Sequence, residues 1–171
     1  MRRTLLLLLL VLSPLSVAHA GWRDRENTVA TVSVDLPQDG KTRRYVLYIP
    51  PTLNRAHPVP LVLAFHGGGG HAEMMADDER YGLIRAAQQN GFIVAFPNGF
   101  SRLPRGRLAT WNAGGCCGGA RDSGSDDVGF SRAVVADIAR KIAVDRDRIF
   151  AIGMSNGGMM GTSQKTENKA R

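Results

Sequence analysis

Cysteine is nearly absent from this sequence. Its 171 residues hold two, Cys116 and Cys117, side by side. Adjacent Cα atoms stand about 3.8 Å apart across a trans peptide, short of the usual disulfide span, so a bond between them would close a strained ring. Each could instead pair with a cysteine this sequence lacks, and the pairing stays open. No second Cys or His pair has ligand spacing, which argues against zinc. Beyond the first twenty residues no apolar run approaches the roughly 20 residues that span a bilayer. Lys and Arg outnumber Asp and Glu, 22 to 15. They are scattered, with no stripe interleaved with aromatics, which argues against nucleic-acid binding. No internal repeat is present, so solenoid architectures are excluded. What remains is a 43% hydrophobic chain, ordinary for a globular protein and of a length for one domain.

The N-terminus reads as an export signal. Arg2 and Arg3 precede the apolar run Leu5–Leu12, and Ala18-His19-Ala20 is a small-x-small cleavage site. No Cys lies near it to take a lipid anchor. The expectation is a signal peptide over residues 1–20, a mature chain from Gly21, and a secreted (extracellular or periplasmic) protein that leaves the membrane after cleavage.

Alternation of Ala30, Val32 and Val34 predicts a strand over Thr28–Asp35, and of Tyr45, Leu47 and Ile49 a strand over Arg43–Ile49. Asp39-Gly40 suggests a tight hairpin between them. A Pro-rich loop over Pro50–Pro60 leads to Leu61–Phe65, a continuous apolar run of the kind found in buried parallel strands. A helix is predicted over Glu79–Gln89, ending at Asn90-Gly91, then a strand over Phe92–Phe96. Pro97–Ser125 reads as one long loop, rich in Gly and Arg, of a length that is usually functional or mobile. Asp126 or Asp127 caps a helix to about Ala143, with Phe130, Val134, Ile138 and Ile142 on its inner face. Arg148–Ile152 is the last predicted strand. Strand and helix alternate, so the expected class is α/β, a mostly parallel sheet with helices on its faces. Residues 21–160 form that partial domain. Residues 161–171 lack any large apolar side chain and hold two of the four lysines. They are expected to be a polar tail outside the fold.

Two motifs carry chemistry. Gly153-Met154-Ser155-Asn156-Gly157 follows a predicted strand and opens a helix, which is the setting of a nucleophile elbow with Ser155 as nucleophile. Glycine on both flanks removes side chains that would clash in so sharp a turn. His66-Gly67-Gly68-Gly69-Gly70 follows the strand Leu61–Phe65. There, backbone N–H groups of Gly67 and Gly68 could join that of Asn156 in an oxyanion hole. His66 is read as orienting this loop rather than as a base. His57 and His71 are read as surface residues.

Four segments together carry a resemblance: Leu61–Gly70, Trp111-Asn-Ala-Gly-Gly-Cys-Cys-Gly118, Asp126-Asp-Val-Gly-Phe130 and Gly153–Met160. They resemble secreted esterases related to polyhydroxybutyrate depolymerases, which overlap with feruloyl and acetyl-xylan esterases of carbohydrate esterase family one. The resemblance covers about Val29 to Met160. It implies an α/β-hydrolase fold, of which this would be the N-terminal part, cleavage of carboxylic esters without a cofactor, and a polyester or polysaccharide ester as substrate. It places Trp111–Gly118 near the site and gives Asp126 and Asp127 structural roles.

One departure limits it. In α/β-hydrolases an Asp or Glu and then a His follow the nucleophile. After Ser155 this sequence has one acid, Glu167, and no His. Without a base Ser155 stays a weakly nucleophilic hydroxyl. The expectation is an enzyme lineage whose 171 residues alone are unstable and inactive. A catalytically dead polymer-binding module, and an acyltransferase or peptidase on the same scaffold, are the alternatives.

Overall fold

The computed structural model describes residues 30–38 and 40–169, with side-chain surroundings as far as residue 163. The export signal, and the first residues of the strand expected from Thr28, lie outside the described residues. Five strands form one sheet in the order β1-β2-β4-β3-β5. They are β1 (Val32–Gln38), β2 (Lys41–Tyr48), β3 (Val59–Phe65), β4 (Ile93–Pro97) and β5 (Val144–Gly153). β3 runs parallel to β4 and to β5, whereas β2 is antiparallel to both β1 and β4. The α/β class read from the sequence is the class observed.

The hairpin turn falls where Asp39-Gly40 suggests it, while β1 ends later than its alternation alone suggests. Gln38 pairs with Lys41, leaving a two-residue turn in which Gly40 has φ +72°, a left-handed angle that costs glycine nothing. That turn sets the register, so β1 runs three residues past Asp35. The predicted helix over Glu79–Gln89 is two: α2 (Asp78–Tyr81) and α3 (Leu83–Asn90). Gly82, at φ +65°, breaks it. Asp78 then accepts the free N–H groups of Ile84 and Arg85 at 2.8 and 3.0 Å, capping α3. The segment expected as loop after Pro97 also contains α4 (Gly118–Asp122), and a short α1 (Ala72–Met75) follows the glycine run.

Side chains alternate along each strand, and helices cover both faces. On one face Tyr45, Leu47, Leu61, Leu63 and Ile93 pack with Phe130, Val134 and Ile138 of α5 (Asp127–Lys141). On the other, Val46, Tyr48, Val94 and Phe96 pack with Ile84 and Ala87 of α3. Burial on both faces explains why β3 and β4 read as apolar runs. α5 stops at Lys141 because Ile142 turns extended (φ −141°) to enter β5. Asp126 caps its start, accepting from the Gly129 N–H at 2.7 Å.

β5 is the outer strand and is longer than predicted. Its Phe150 and Ile152 are 52% and 40% exposed. They line a cleft of about 1160 Å³ with Val62, Leu83 and Phe92. The tail read as outside the fold is helical in backbone: α6 runs Asn156–Lys169 without a break at Gly161. The polar composition of 161–169 sets no obstacle to helix, which residues such as Gln164, Lys165, Glu167 and Lys169 favour.

Phe130 is fully buried. Phe130→Ala should therefore cost about 3–5 kcal/mol of unfolding free energy. Urea denaturation checks this, and a cost below about 1 kcal/mol would contradict the packing described.

Candidate functional site

The site is built where β3 and β5 end side by side. Phe65 pairs with Gly153 in parallel register, and the chain then turns through Met154 and Ser155 into α6. Ser155 has φ +52°. A non-glycine residue held there is strained and marks a place where structure over-determines the backbone. The flanking glycines are steric requirements. A Cβ on Gly153 would lie 2.3 Å from the Gly157 oxygen. One on Gly157 would lie 2.4 Å from the oxygens of both Phe65 and His66. The N–H groups of Gly157 and Gly158 return to the carbonyls of Met154 and Ser155 at 2.9 Å, closing the turn. Ser155 is exposed at its apex.

Gly67 and Gly68 lie directly over this turn. A Cβ on Gly67 would stand 3.8 Å from the Ser155 Cβ, and one on Gly68 3.7 Å from the Asn156 Cβ. The N–H groups of Gly69 and Gly70 are used, to Ala109 and Gly67 oxygens at 2.8 and 3.0 Å. Those of Gly67 and Gly68 make no bond among the described residues. The Asn156 N–H stands in the first turn of α6, where helical N–H groups have no partner inside the helix. Gly67, Gly68, Ser155 and Asn156, all read from the sequence, are thus brought together.

His66 is buried and has no free nitrogen. Nε2 accepts from the Gly99 N–H at 3.0 Å, which leaves Nδ1 to donate to the Gly67 oxygen at 2.8 Å. The ring lies against Trp111, with centroids 4.8 Å apart. Burial lowers its pKa from 6.5 to about 4. A neutral ring with both nitrogens engaged holds the loop and takes no proton from Ser155. His71 caps the short α1 and meets Glu73 at 3.0 Å.

Three ties of this site have no signal in local sequence pattern. The Asn156 carboxamide accepts from the Trp111 N–H at 2.7 Å and donates to the Trp111 oxygen at 3.0 Å. The Trp111 indole N–H donates to the His66 oxygen at 2.8 Å. A buried ion pair, Arg43 to Asp127 at 2.6 Å, anchors the same loop, because Asp127 also accepts from the Asn112 N–H at 2.7 Å. Asp127 was expected to be structural, and this is how. Trp111 could have been suspected from the Trp-Asn-Ala-Gly-Gly-Cys-Cys-Gly segment, but Arg43 and the Asn156 side chain could not. Cys116 and Cys117, in that segment, are bonded to each other.

A serine on a strained strand-to-helix turn, under a glycine-rich loop with free N–H groups, is the arrangement expected of a nucleophile elbow in an α/β-hydrolase. Comparison with known proteins agrees. The chain belongs to the Esterase PHB depolymerase family, whose profile matches residues 43–164. It is 37% identical over 124 residues to NocK of Nocardia uniformis subsp. tsuyamanensis, which carries a provisional esterase name, covering 71% of this chain and 33% of that protein. It is 33% identical over 118 residues to feruloyl esterase B of Piromyces equi, covering 69% of this chain and 20% of that one. The chain therefore spans about a fifth to a third of the length of these relatives. Among solved structures, acetyl xylan esterase from Aspergillus awamori superposes with TM-score 0.60 at 20% identity, over 79% of this chain and 46% of that one. An S-formylglutathione hydrolase from Agrobacterium tumefaciens gives 0.62 at 17%, over 81% and 53%. At such identities these two likenesses show the fold.

The depressed pKa of His66 has a measurable consequence. The unfolded ring takes up a proton near pH 6.5, the folded ring only near about 4, so protonation favours the unfolded chain. Above pH 6.5 the ring has no effect. As pH falls from 6.5 to about 4 it should remove up to about 3 kcal/mol of stability. Urea midpoints across this range should fall more steeply in wild type than in His66→Asn. Equal slopes would refute the buried neutral ring.

Proposed function

We propose that this chain carries the nucleophile and the oxyanion-stabilising half of a carboxylic-ester hydrolase. The observation that carries this is the strained Ser155 (φ +52°) exposed beneath Gly67 and Gly68. Ser155 Oγ attacks the ester carbonyl. The developing oxyanion takes hydrogen bonds from the N–H groups of Asn156 and of Gly67 or Gly68. The alcohol leaves, the acyl group stays on Ser155, and water then releases the acid.

Attack needs a base. The four histidines are His19, His57, His66 and His71, and none follows Ser155. His66 is engaged at both nitrogens. In our reading the acid and base partners come from sequence beyond these 171 residues. The substrate class we favour is a feruloyl or acetyl ester on xylan, on the strength of relatives named for feruloyl ester cleavage. A hydroxyalkanoate polyester, suggested by the family's name, is the second reading. The Arg2–Ala20 leader supports export to the periplasm or medium.

Two measurements test this. In protein that includes the acid and base partners, Ser155→Ala should reduce p-nitrophenyl acetate hydrolysis at least about a thousandfold. The 171 residues alone should hydrolyse at background, since loss of triad members leaves only residual catalysis. Retained activity in Ser155→Ala, or full turnover by the 171 residues, would overturn the assignment.

A further inference from the structure

The Arg-rich segment after β4 is left unexplained by ester cleavage. Residues 98–110 fold back as a hairpin-like loop, with Phe100 and Thr110 exchanging N–H to oxygen bonds at 2.9 and 3.0 Å. Its tip is pinned from several sides. Asn98 Nδ2 donates to the Gly106 oxygen at 2.9 Å, and Arg44 donates to the Arg105 oxygen at 2.8 Å. The Ser101 hydroxyl donates to the Arg107 oxygen. Besides Ser155, only Arg105 (φ 59°) and Leu108 (φ 51°) are non-glycine residues with positive φ among the described residues. Strain held at two places in one exposed tip, by a tie from β2 and two from within the loop, gives the tip a fixed shape.

That tip closes a polar cleft of about 380 Å³ against the start of β2. Its charged lining is Lys41, Arg43, Arg44 and Arg105 against a single carboxylate, Asp35. Arg43 is neutralised by Asp127, and Arg44 meets Glu73 at 3.3 Å. Lys41, whose ammonium lies 5.0 Å from the Phe100 ring centroid, and Arg105 have no acidic partner among the described residues. Exposed Arg102 and Arg107 flank the tip and likewise have no acidic partner among the described residues. Exposed cations converging on one cleft repel one another and favour an anionic occupant.

The cleft shares an edge with Ser155. β3, β4 and β5 are parallel, so their carboxyl ends face the same side. β4 ends at this cleft and lies two strand spacings from β5, about 10 Å. The His66 ring joins the two places, from Gly67 on one side to Gly99 of the cleft on the other.

We propose that this cleft is a subsite for a carboxylate carried by the ester substrate, a few residues along the polymer from the scissile bond. The proposal rests on Ser155 being the nucleophile. A uronic-acid branch on xylan and the free carboxyl end of a hydroxyacid oligomer present the same group. Lys41 and Arg105 supply charge-assisted hydrogen bonds to it, and exposed Leu103 supplies apolar contact beside it.

The test uses full-length protein with Ser155→Ala, so that ligands bind without turnover. Calorimetry would compare glucuronic-acid-substituted xylotriose with plain xylotriose, and 3-hydroxybutyrate trimer with its methyl ester. At least one acidic ligand should bind about tenfold tighter than its neutral counterpart, and the pair that does so identifies the source. Lys41→Gln with Arg105→Gln should erase that difference, as should high salt. In the enzyme with Ser155 intact, the same double substitution should lower kcat/KM about tenfold for the acidic ester and leave p-nitrophenyl acetate unchanged. Equal binding of acidic and neutral ligands in both pairs, or discrimination that survives the double substitution, would overturn the subsite. Activity surviving Ser155→Ala would instead overturn the nucleophile assignment and leave the binding result standing.

Discussion

Everything at this site depends on how closely the first turn of α6 approaches the end of β3. Gly157 lies where any side chain would strike the carbonyls of Phe65 and His66. That contact places the helix N-terminus directly under the glycine loop, so Gly67 and Gly68 meet Ser155 and Asn156 without intervening atoms. A larger residue at position 157 would push α6 from the sheet and part Gly67 and Gly68 from Ser155. The strain at Ser155 is the local consequence of the same approach. A strand that must become a helix within two residues, at contact distance from its neighbour, has only a left-handed residue with which to turn.

The long loop between β4 and α5 is kept in shape by buried polar groups rather than by apolar packing alone. Arg43 on β2 reaches Asp127 at the head of α5, and the same carboxylate holds the Asn112 N–H. Asn98 accepts from the Ala72 N–H at 2.7 Å and donates to Gly106. His66 ties Gly99 to Gly67. Each partner lies in a different element, so the loop is triangulated from β2, α1, α5 and the elbow. A buried ion pair gives little net stability against a hydrophobic replacement, but breaking it strands a charge, typically at 3–5 kcal/mol. The network therefore fixes geometry more than it adds stability, which suits a loop bordering the proposed site at Ser155.

The elbow and the glycine run were legible because their physics is local. Gly153, Ser155 and Gly157 need only each other and a preceding strand to be read, and β3 announced itself as Leu61–Phe65. The inner face of α5 was legible for the same reason, since Phe130, Val134 and Ile138 repeat at helical spacing and are fully buried. What failed was punctuation. Gly82 broke a helix that composition made continuous, because a single left-handed angle outweighs the propensity of the residues around it. The register of β1 was set by the turn, not by alternation in Thr28–Asp35.

The ties that give the site its rigidity were illegible in principle. Asn156 could be read for its backbone N–H, from its place after Ser155. Its carboxamide, bonded to both the N–H and the oxygen of Trp111 across 45 residues, could not, because no spacing rule links an elbow to a loop on another strand. The same holds for Arg43 and Asp127, 84 residues apart. Asparagine fits this position because one planar group both donates and accepts, matching the two polar groups of a single peptide residue. Aspartate would lack the donor and add a buried charge; leucine would leave the Trp111 N–H and oxygen unpaired. So Asn156 serves at once as backbone donor candidate and as the clamp that sets where the Trp111 loop stands relative to it. The indole of Trp111, donating back to the His66 oxygen at 2.8 Å, closes the circuit from elbow to loop to glycine run.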